Sequence, residues 1–226
     1  MAAKTVFVAG GSGYMGRRMI ARLLERGHTV RAMARRGSES RLPVGCDAVI
    51  GDALRGESYD GVLRAGETFV HLVGVAHPGP AKAAEFKTID LASIQASAPA
   101  AARAGITHFV YVSVGQPAPV MKAYQAVRAE GERLLRESGM NCTVLRPWYV
   151  LGPGHRWPYA LLPFYWICER LPATREGARR LGLVTLDEMV GALVHAVENP
   201  ARGFEVFPVP AIRANGRKML PADSRR

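Results

Sequence analysis

Cysteine is scarce in this chain. Cys46, Cys142 and Cys168 stand far apart and show no paired spacing. That pattern excludes a disulfide framework and a cysteine metal site, and it fits thiols in a reducing compartment, so the cytoplasm is expected. The histidines add no metal site: His71, His77, His108 and His155 lack ligand spacing, and no carboxylates pair beside them. Long apolar runs are also missing. The best candidate, Tyr159 to Cys168, falls far short of the roughly 20 residues that span a bilayer. Met1 to Lys4 gives way at once to Val6-Phe7-Val8-Ala9 and glycines, so no signal peptide is read. Acid is in deficit, with 19 Asp and Glu against 30 Lys and Arg, for a formal charge of +11. From Arg213 to Arg226 there are five basic residues and one acid; the others fall singly on expected helix faces. No basic helix is interleaved with aromatics, which argues against nucleic acid and for a solvated or phosphate-attracting surface.

What is present is the balance of a soluble globular protein, 48% hydrophobic and 22% charged. Short apolar runs alternate with longer helical stretches, which predicts an α/β Rossmann fold, a doubly wound parallel sheet with a small C-terminal substrate-side extension. Strands are expected at Thr5–Ala9, Thr29–Ala34, Ala48–Ile50, Thr68–Val73, His108–Ser113 and Thr143–Arg146. Helices are expected near Met15–Arg26, Ala83–Ala104 and Lys122–Glu137. One domain is read over 1–212, with 147–212 on the substrate side and 213–226 as a flexible basic tail. After Pro147 the chain is rich in proline and aromatics. Residues 159–170 read as a lid or substrate-side helix packed on the core, or as a greasy substrate wall or membrane-surface contact. Thr185 and Glu188 fit a capping box ahead of an apolar stripe, Leu186, Met189, Val190, Leu193, Val194 and Val197. A last strand, Phe204–Pro208, is expected to close the small C-terminal part.

The strongest motif is Gly10-Gly11-Ser12-Gly13-Tyr14-Met15-Gly16, which follows a buried strand and opens a helix. Glycine allows the tight turn and a close approach to a pyrophosphate, and the helix N-terminus offers free N–H groups and partial positive charge. At the end of the second strand an NAD-binding fold places an acid for the ribose hydroxyls. This chain has Arg35 and Arg36 there and no carboxylate before Glu39. Guanidinium groups suit a 2′-phosphate, so NADP(H) is the expected cofactor and NAD the alternative. The plainer alternatives are a ligand-free glycine turn and arginines that only face solvent.

With these residues in hand, the chain resembles the short-chain dehydrogenase/reductase superfamily, in the atypical and extended branch of NmrA-like NAD(P)H-binding proteins and NAD-dependent epimerase/dehydratases. The resemblance rests on Gly10, Gly13 and Gly16, on Gly51-Asp52-Ala53, Val70-His71-Leu72-Val73-Gly74, Phe109 to Ser113 and Leu145-Arg146-Pro147. It implies cofactor contacts at Asp52, Ala53, Leu72, Val73, Gly74, Ser113 and Pro147. Tyr124 and Arg128 match the family's Tyr-x-x-x-Lys pair with arginine in place of lysine. The resemblance implies that Tyr124 carries the substrate proton and that Arg128 holds the ribose and favours the phenolate. Arginine changes the hydrogen-bond geometry. The hydroxyl usual beyond the fifth strand is replaced by Gly115, which removes a donor. His155 stands in a loop, Gly152 to Trp157, expected to border the substrate cleft. The implied activity is NADPH-dependent reduction of a small, apolar carbonyl compound. The rival readings are a catalytically weak or inactive cofactor sensor or assembly subunit, and a nucleotide-sugar epimerase or dehydratase. The oligomeric state is left open.

Overall fold

Val6 to Ala9 of β1 (Thr5–Ala9) are wholly buried, as expected of a strand covered on both faces, whose side chains alternate between two cores. The computed structural model of the chain describes residues 2–153, 168, 170–172 and 174–219. β1 pairs in parallel with β2 (Thr29–Ala34) on one side and β4 (Thr68–His71) on the other. With β3 (Asp47–Ile50), β5 (His108–Val112), β6 (Cys142–Arg146) and β9 (Phe204–Pro208), they form one parallel sheet in the order β3-β2-β1-β4-β5-β6-β9. The order reverses between β1 and β4, which opens a crevice at the carboxyl ends of the strands, where ligands bind in such sheets. The register aligns those ends: Ala9 faces Met33 and His71, His71 faces Tyr111, and Val112 faces Leu145.

Helices cover both faces. On one lie α1 (Tyr14–Glu25) and, later in the chain, the helix opened by the Thr185 capping box. Met19, Ile20 and Leu23 recur at helical spacing and are fully buried, each stabilising the fold by about 1.5–3 kcal/mol. They meet Val6, Val8, Val70 and Val110 from the sheet. The opposite core holds Phe7, Phe69 and Phe109, the last two stacked at 4.7 Å. It is covered by α2 (Ala92–Arg103) and α3 (Lys122–Glu137). Residues 83–103 follow one helical path, but Phe86–Leu91 forms a π-helical stretch between a short turn, Ala83–Glu85, and α2.

Several expectations change. β4 and β5 end at His71 and Val112, two residues and one residue early, though Leu72 N–H still donates to Ala9 O and Ser113 N–H to Leu145 O, each at 2.8 Å. Two short strands, β7 (Tyr149–Leu151) and β8 (Leu183–Thr185), make a separate parallel pair. Three residues each are too few to show a period. Between them lies α4 (Arg175–Arg180), and α5 (Leu186–Glu198) follows β8 with the expected capping box complete: Glu188 N–H donates to Thr185 Oγ1 at 3.1 Å. β9 belongs to the main sheet, pairing with β6, rather than closing a separate C-terminal part. The expected tail is helical to Lys218 in α6 (Val209–Lys218). Pro210 sits in the first turn, where it costs no hydrogen bond. Val209 and Ile212 are fully buried, and Gly216 meets Gly191 of α5 backbone to backbone. Residues 220–226, His155 and 159–167 lie outside the described residues. Among those described, no helix is long and apolar enough to cross a membrane.

Candidate active site

The crevice has a backbone half and a side-chain half. In the first, Gly10 turns with φ +87°, a conformation open to glycine, and any Cβ there would sit 2.8 Å from the Leu72 carbonyl carbon. Gly16 lies so close under the turn that a Cβ would fall 2.5 Å from Gly10 O. The loop therefore packs tightly against the β4 end, which brings Leu72 and Val73 beside it. Gly11 is buried, Ser12 half-buried and Gly13 exposed. Gly13 N–H donates back to Gly10 O at 3.1 Å, and Arg17 N–H is the first to donate along the helix, to Gly13 O at 3.1 Å. The N–H groups of Tyr14, Met15 and Gly16 thus have no acceptor within α1. No side chain caps this end and no acid stands in its first turn. A cradle of this form fits an anion such as a pyrophosphate.

Arg35 and Arg36 follow β2 directly and are both exposed, with no ion pair among the described residues. Asp52 and Ala53 follow β3. Asp52 Oδ1 accepts the Leu54 amide at 3.0 Å and Ala53 O accepts the Tyr59 hydroxyl at 3.2 Å, so their polar groups stiffen their own turn. Asp52 is half-buried.

The other half is a set of closed side-chain networks. Tyr124 and Arg128 share a face of α3, and Arg128 Nε donates to the Tyr124 hydroxyl at 3.2 Å. Phe86 packs on the Tyr124 ring at 4.8 Å. Arg128 is buried, and its NH1 group donates to Val112 O at 2.9 Å and to the Tyr111 hydroxyl at 3.4 Å. Its NH2 group donates to Asp90 Oδ1 at 2.5 Å. Asp90 sits in the π-helical stretch, wholly buried, and its Oδ2 accepts the Val75 amide at 3.1 Å. Arg128 is thus paired with a carboxylate, so the Tyr124 hydroxyl meets a cation whose charge Asp90 matches. Burial pushes Asp90 up, opposed by Arg128 and the Val75 amide. Gly74 completes the arrangement, because the Arg128 NH2 atom lies 2.3 Å from where its Cβ would be.

Ser113 turns inward. Its hydroxyl donates to Glu132 Oε1 at 2.7 Å and is almost fully buried, so its side chain does not face the crevice. Glu132 also accepts Gln116 at 2.9 Å and Arg146 at 2.9 Å and 2.5 Å. Burial alone would raise the Glu132 carboxyl, but the hydrogen bonds from Arg146 and Ser113 outweigh it and hold it below the usual range. Gly115 N–H donates to Pro147 O at 2.7 Å, which extends the β5–β6 pairing past the strand ends. A Cβ at Gly115 would rest 3.4 Å from Arg180 O and from the Leu181 side chain, so this position is roofed by the end of α4. Pro147 is buried behind it. His71 at the β4 end is buried with both ring nitrogens unpartnered; burial, then Arg128, pushes it down to about 3, so it is neutral. Among the described residues no His, Cys, Asp and Glu cluster suits a metal ion.

Asp90 and the Glu132 network were not read as site features in the sequence. Asp90 carried a signal, since it shares the buried stripe of Phe86, Ser93, Ile94 and Ser97 in a helix otherwise rich in alanine.

A parallel sheet reversing at β1/β4, with a glycine loop under an uncapped helix end, defines a dinucleotide-binding Rossmann domain. The family model described as NAD(P)H-binding matches residues 10–156, and the chain belongs to that family. The chain is 23% identical to the ceramide reductase of Caulobacter vibrioides over 88% of its own length and 62% of that protein's. It is 29% identical to the 3-diazoavenalumate denitrifying reductase of a Streptomyces species, over 88% of this chain and 73% of the relative. The chain thus spans less than two thirds of the ceramide reductase. Among solved structures, the Bordetella bronchiseptica enzyme WbmH in complex with NAD+ shares the fold at a TM-score of 0.68 and 21% identity, covering 92% of this chain and 76% of that one. UDP-galactose 4-epimerase shares it at 0.67 and 17%, covering 90% and 76%.

Proposed function

We propose that the chain is an NADP(H)-dependent reductase acting on an apolar carbonyl substrate, with Tyr124 as proton donor. One observation carries this reading. The Tyr124 hydroxyl accepts from Arg128 Nε, which leaves its own hydrogen to donate onward. That hydroxyl is linked through Arg128 and Gly74 to the β4 end, against which Gly10 packs. The bound dinucleotide supplies the hydride; the protein orients and polarises. Gly13 and the α1 N-terminus hold the pyrophosphate, Arg35 with Arg36 holds the 2′-phosphate, and Leu72, Val73 and Gly74 flank the ribose. Asp52 and Ala53 lie on the adenine side, and the backbone at Ser113 and Pro147 borders the nicotinamide side. Three relatives bear names of reductases, and two of those names, the ceramide reductase and a ketoreductase of a farnesyl quinoline oxide from Stigmatella aurantiaca, describe substrates with long apolar parts. That supports an apolar substrate.

The test is NADPH oxidation, followed by absorbance, across a panel of long-chain and short polar ketones and aldehydes. Slow turnover with the apolar members is expected, below the typical enzyme value of about 10 per second. Absence of turnover across the panel, with Tyr124→Phe indistinguishable from the parent, overturns it. A second reading has its own support: with Ser113 committed to Glu132 and Gly115 bare, no serine hydroxyl of the β5 end assists Tyr124. A cofactor sensor without turnover has that architecture, and partner capture that depends on NADPH distinguishes it.

A further inference from the structure

Charge is not spread evenly over the chain. Between 169 and 182 and between 209 and 219 stand seven Lys and Arg against two acids, so nearly half of the net +11 falls in a ninth of the sequence. The fold brings these two segments together. α4 packs against α6, and Arg213 of α6 donates from Nε to Leu183 O at 2.9 Å, just past the end of α4. Arg175 and Arg179, four residues apart, share an exposed face of α4. Arg170 and Lys218 are exposed as well, while Arg217 is matched by Glu188. The other face of the sheet is balanced: α3 carries four Lys and Arg and three Glu, and Arg133 pairs with both Glu130 and Glu137.

Exposed apolar side chains lie on the same segment and on the loop it touches. Leu171 is half exposed at the turn that opens α4, where its carbonyl accepts the Thr174 and Arg175 amides. Val120 is exposed to a like degree on the loop after β5, to which Arg180 is tied by donating from Nε to Pro117 O at 3.2 Å. They are two of only five large apolar residues exposed among those described. α4 itself ends over Gly115, at the β5 side of the crevice.

We infer that this end of the molecule is a docking surface for an anionic lipid bilayer, with the arginines among the headgroups and Leu171 and Val120 entering between them. Each basic residue beside such a surface adds several-fold to the affinity, and apolar side chains that enter the interface anchor the protein there. A long arginine keeps its stem on the acyl chains while its head stays with the phosphates. Single-stranded nucleic acid also attracts cations, but it stacks on aromatic rings, and neither segment contains one. An exposed leucine, moreover, adds nothing to the binding of a soluble polyanion. The docking stands on charge and exposed apolar surface; only its purpose, delivery of an apolar substrate from the bilayer to the crevice beneath α4, rests on the reductase reading.

The test is co-sedimentation of the full chain with vesicles of phosphatidylcholine alone, and of phosphatidylcholine with phosphatidylglycerol, at low and high salt. Binding to the anionic vesicles alone is expected, and salt should weaken it, because exposed charges are screened. Arg175→Gln with Arg179→Gln is expected to lower the partition coefficient by about tenfold or more, and Leu171→Ser by several-fold. Arg103→Gln with Arg133→Gln removes the same charge from exposed positions on α2 and α3, and should leave partition nearly unchanged. Equal losses in the two double variants would mean unspecific attraction and overturn the inference, as would absence of binding to anionic vesicles at low salt. A parent that binds a DNA duplex in place of the vesicles assigns the patch to nucleic acid and overturns it too. Turnover separates this inference from the reductase reading. With a long-chain ketone dissolved in anionic vesicles, the Arg175 and Arg179 variant should show a raised KM, and with a water-soluble ketone an unchanged kcat. If the vesicles are bound as expected but no carbonyl compound is reduced, the docking holds and the reductase reading fails.

Discussion

The two halves of the crevice are built on opposite plans. Around β1 and β2, the surface is an uncapped helix end, a glycine turn and two arginines that make no ion pair among the described residues. Around β5 and β6, nearly every polar side chain is already spoken for inside the protein, Arg128 by Asp90 and Ser113 by Glu132. Backbone donors left open by geometry cost nothing in the free protein and become strong when an anion arrives. Buried side chains cannot be left open, because an unpaired buried polar group costs about 1–3 kcal/mol. The first half is therefore ready to take a ligand, and the second is rigid, offering only what its networks leave over.

The largest effect expected from this contrast is at Gly13. Its Cβ would meet only Gly10 O, at 3.1 Å, so Gly13→Val fits the fold with a small shift while filling the space of the pyrophosphate. Dinucleotide binding should fall by more than about a hundredfold, a loss of some 3 kcal/mol, with a native circular dichroism spectrum. Gly16→Val, forced against Gly10 O and Gly11, should instead lower the melting temperature. If Gly13→Val binds NADPH normally, the backbone half is not the cradle. Next comes Tyr124→Phe, which removes a side-chain hydrogen the second half leaves over: kcat should drop about a hundredfold with NADPH affinity unchanged. Equal losses in affinity and kcat would mean that the hydroxyl holds the fold or the cofactor.

A smaller effect is expected at Arg35. Arg35→Ala should weaken NADPH about tenfold, as expected for one charge-assisted phosphate contact, and leave NADH nearly unchanged. Calorimetric titration with both dinucleotides decides it, and equal loss for both denies the 2′-phosphate role. The smallest effect near neutral pH concerns His71. In the fold it is neutral with its pKa pushed to about 3, whereas in the unfolded chain it sits near its ordinary value of about 6.5. Between those values the unfolded chain binds a proton that the folded one does not. The resulting stability is complete above about pH 6.5 and is lost as the pH falls toward 3. His71→Phe should flatten the acid side of the stability profile by up to about 1.4 kcal/mol per pH unit. Urea unfolding across that range measures it, and an unchanged slope would show that the imidazole has a charged or hydrated form in the fold.

The same contrast explains what could be read in the sequence. β1, the glycine loop and the arginines after β2 are consecutive residues whose chemistry is visible in their types, and the parallel sheet followed from alternating apolar runs. Asp90 and Arg128 are 38 positions apart, Ser113 and Glu132 19, and no local pattern joins them. Even Asp90, an acid on an apolar stripe of an alanine-rich helix, announces only that it is buried, not what it pairs with. The end of the chain misled for another reason. Pro208, Pro210 and Gly216 look like breakers, yet the prolines sit at the helix start and the glycine is where α5 and α6 touch.

The small β7–β8 pair has a consequence for how such a protein can be altered. β7 follows β6 after two residues, and β8 runs straight into α5, whose buried stripe is core. Leu151 and Leu183, the residues on either side of the connection between β7 and β8, thus lie in strands paired side by side. The entropy of closing a loop grows only with the logarithm of its length, about 0.6 kcal/mol per doubling. Lengthening that connection should thus cost the cofactor domain little, provided that α4, whose end roofs Gly115, is kept.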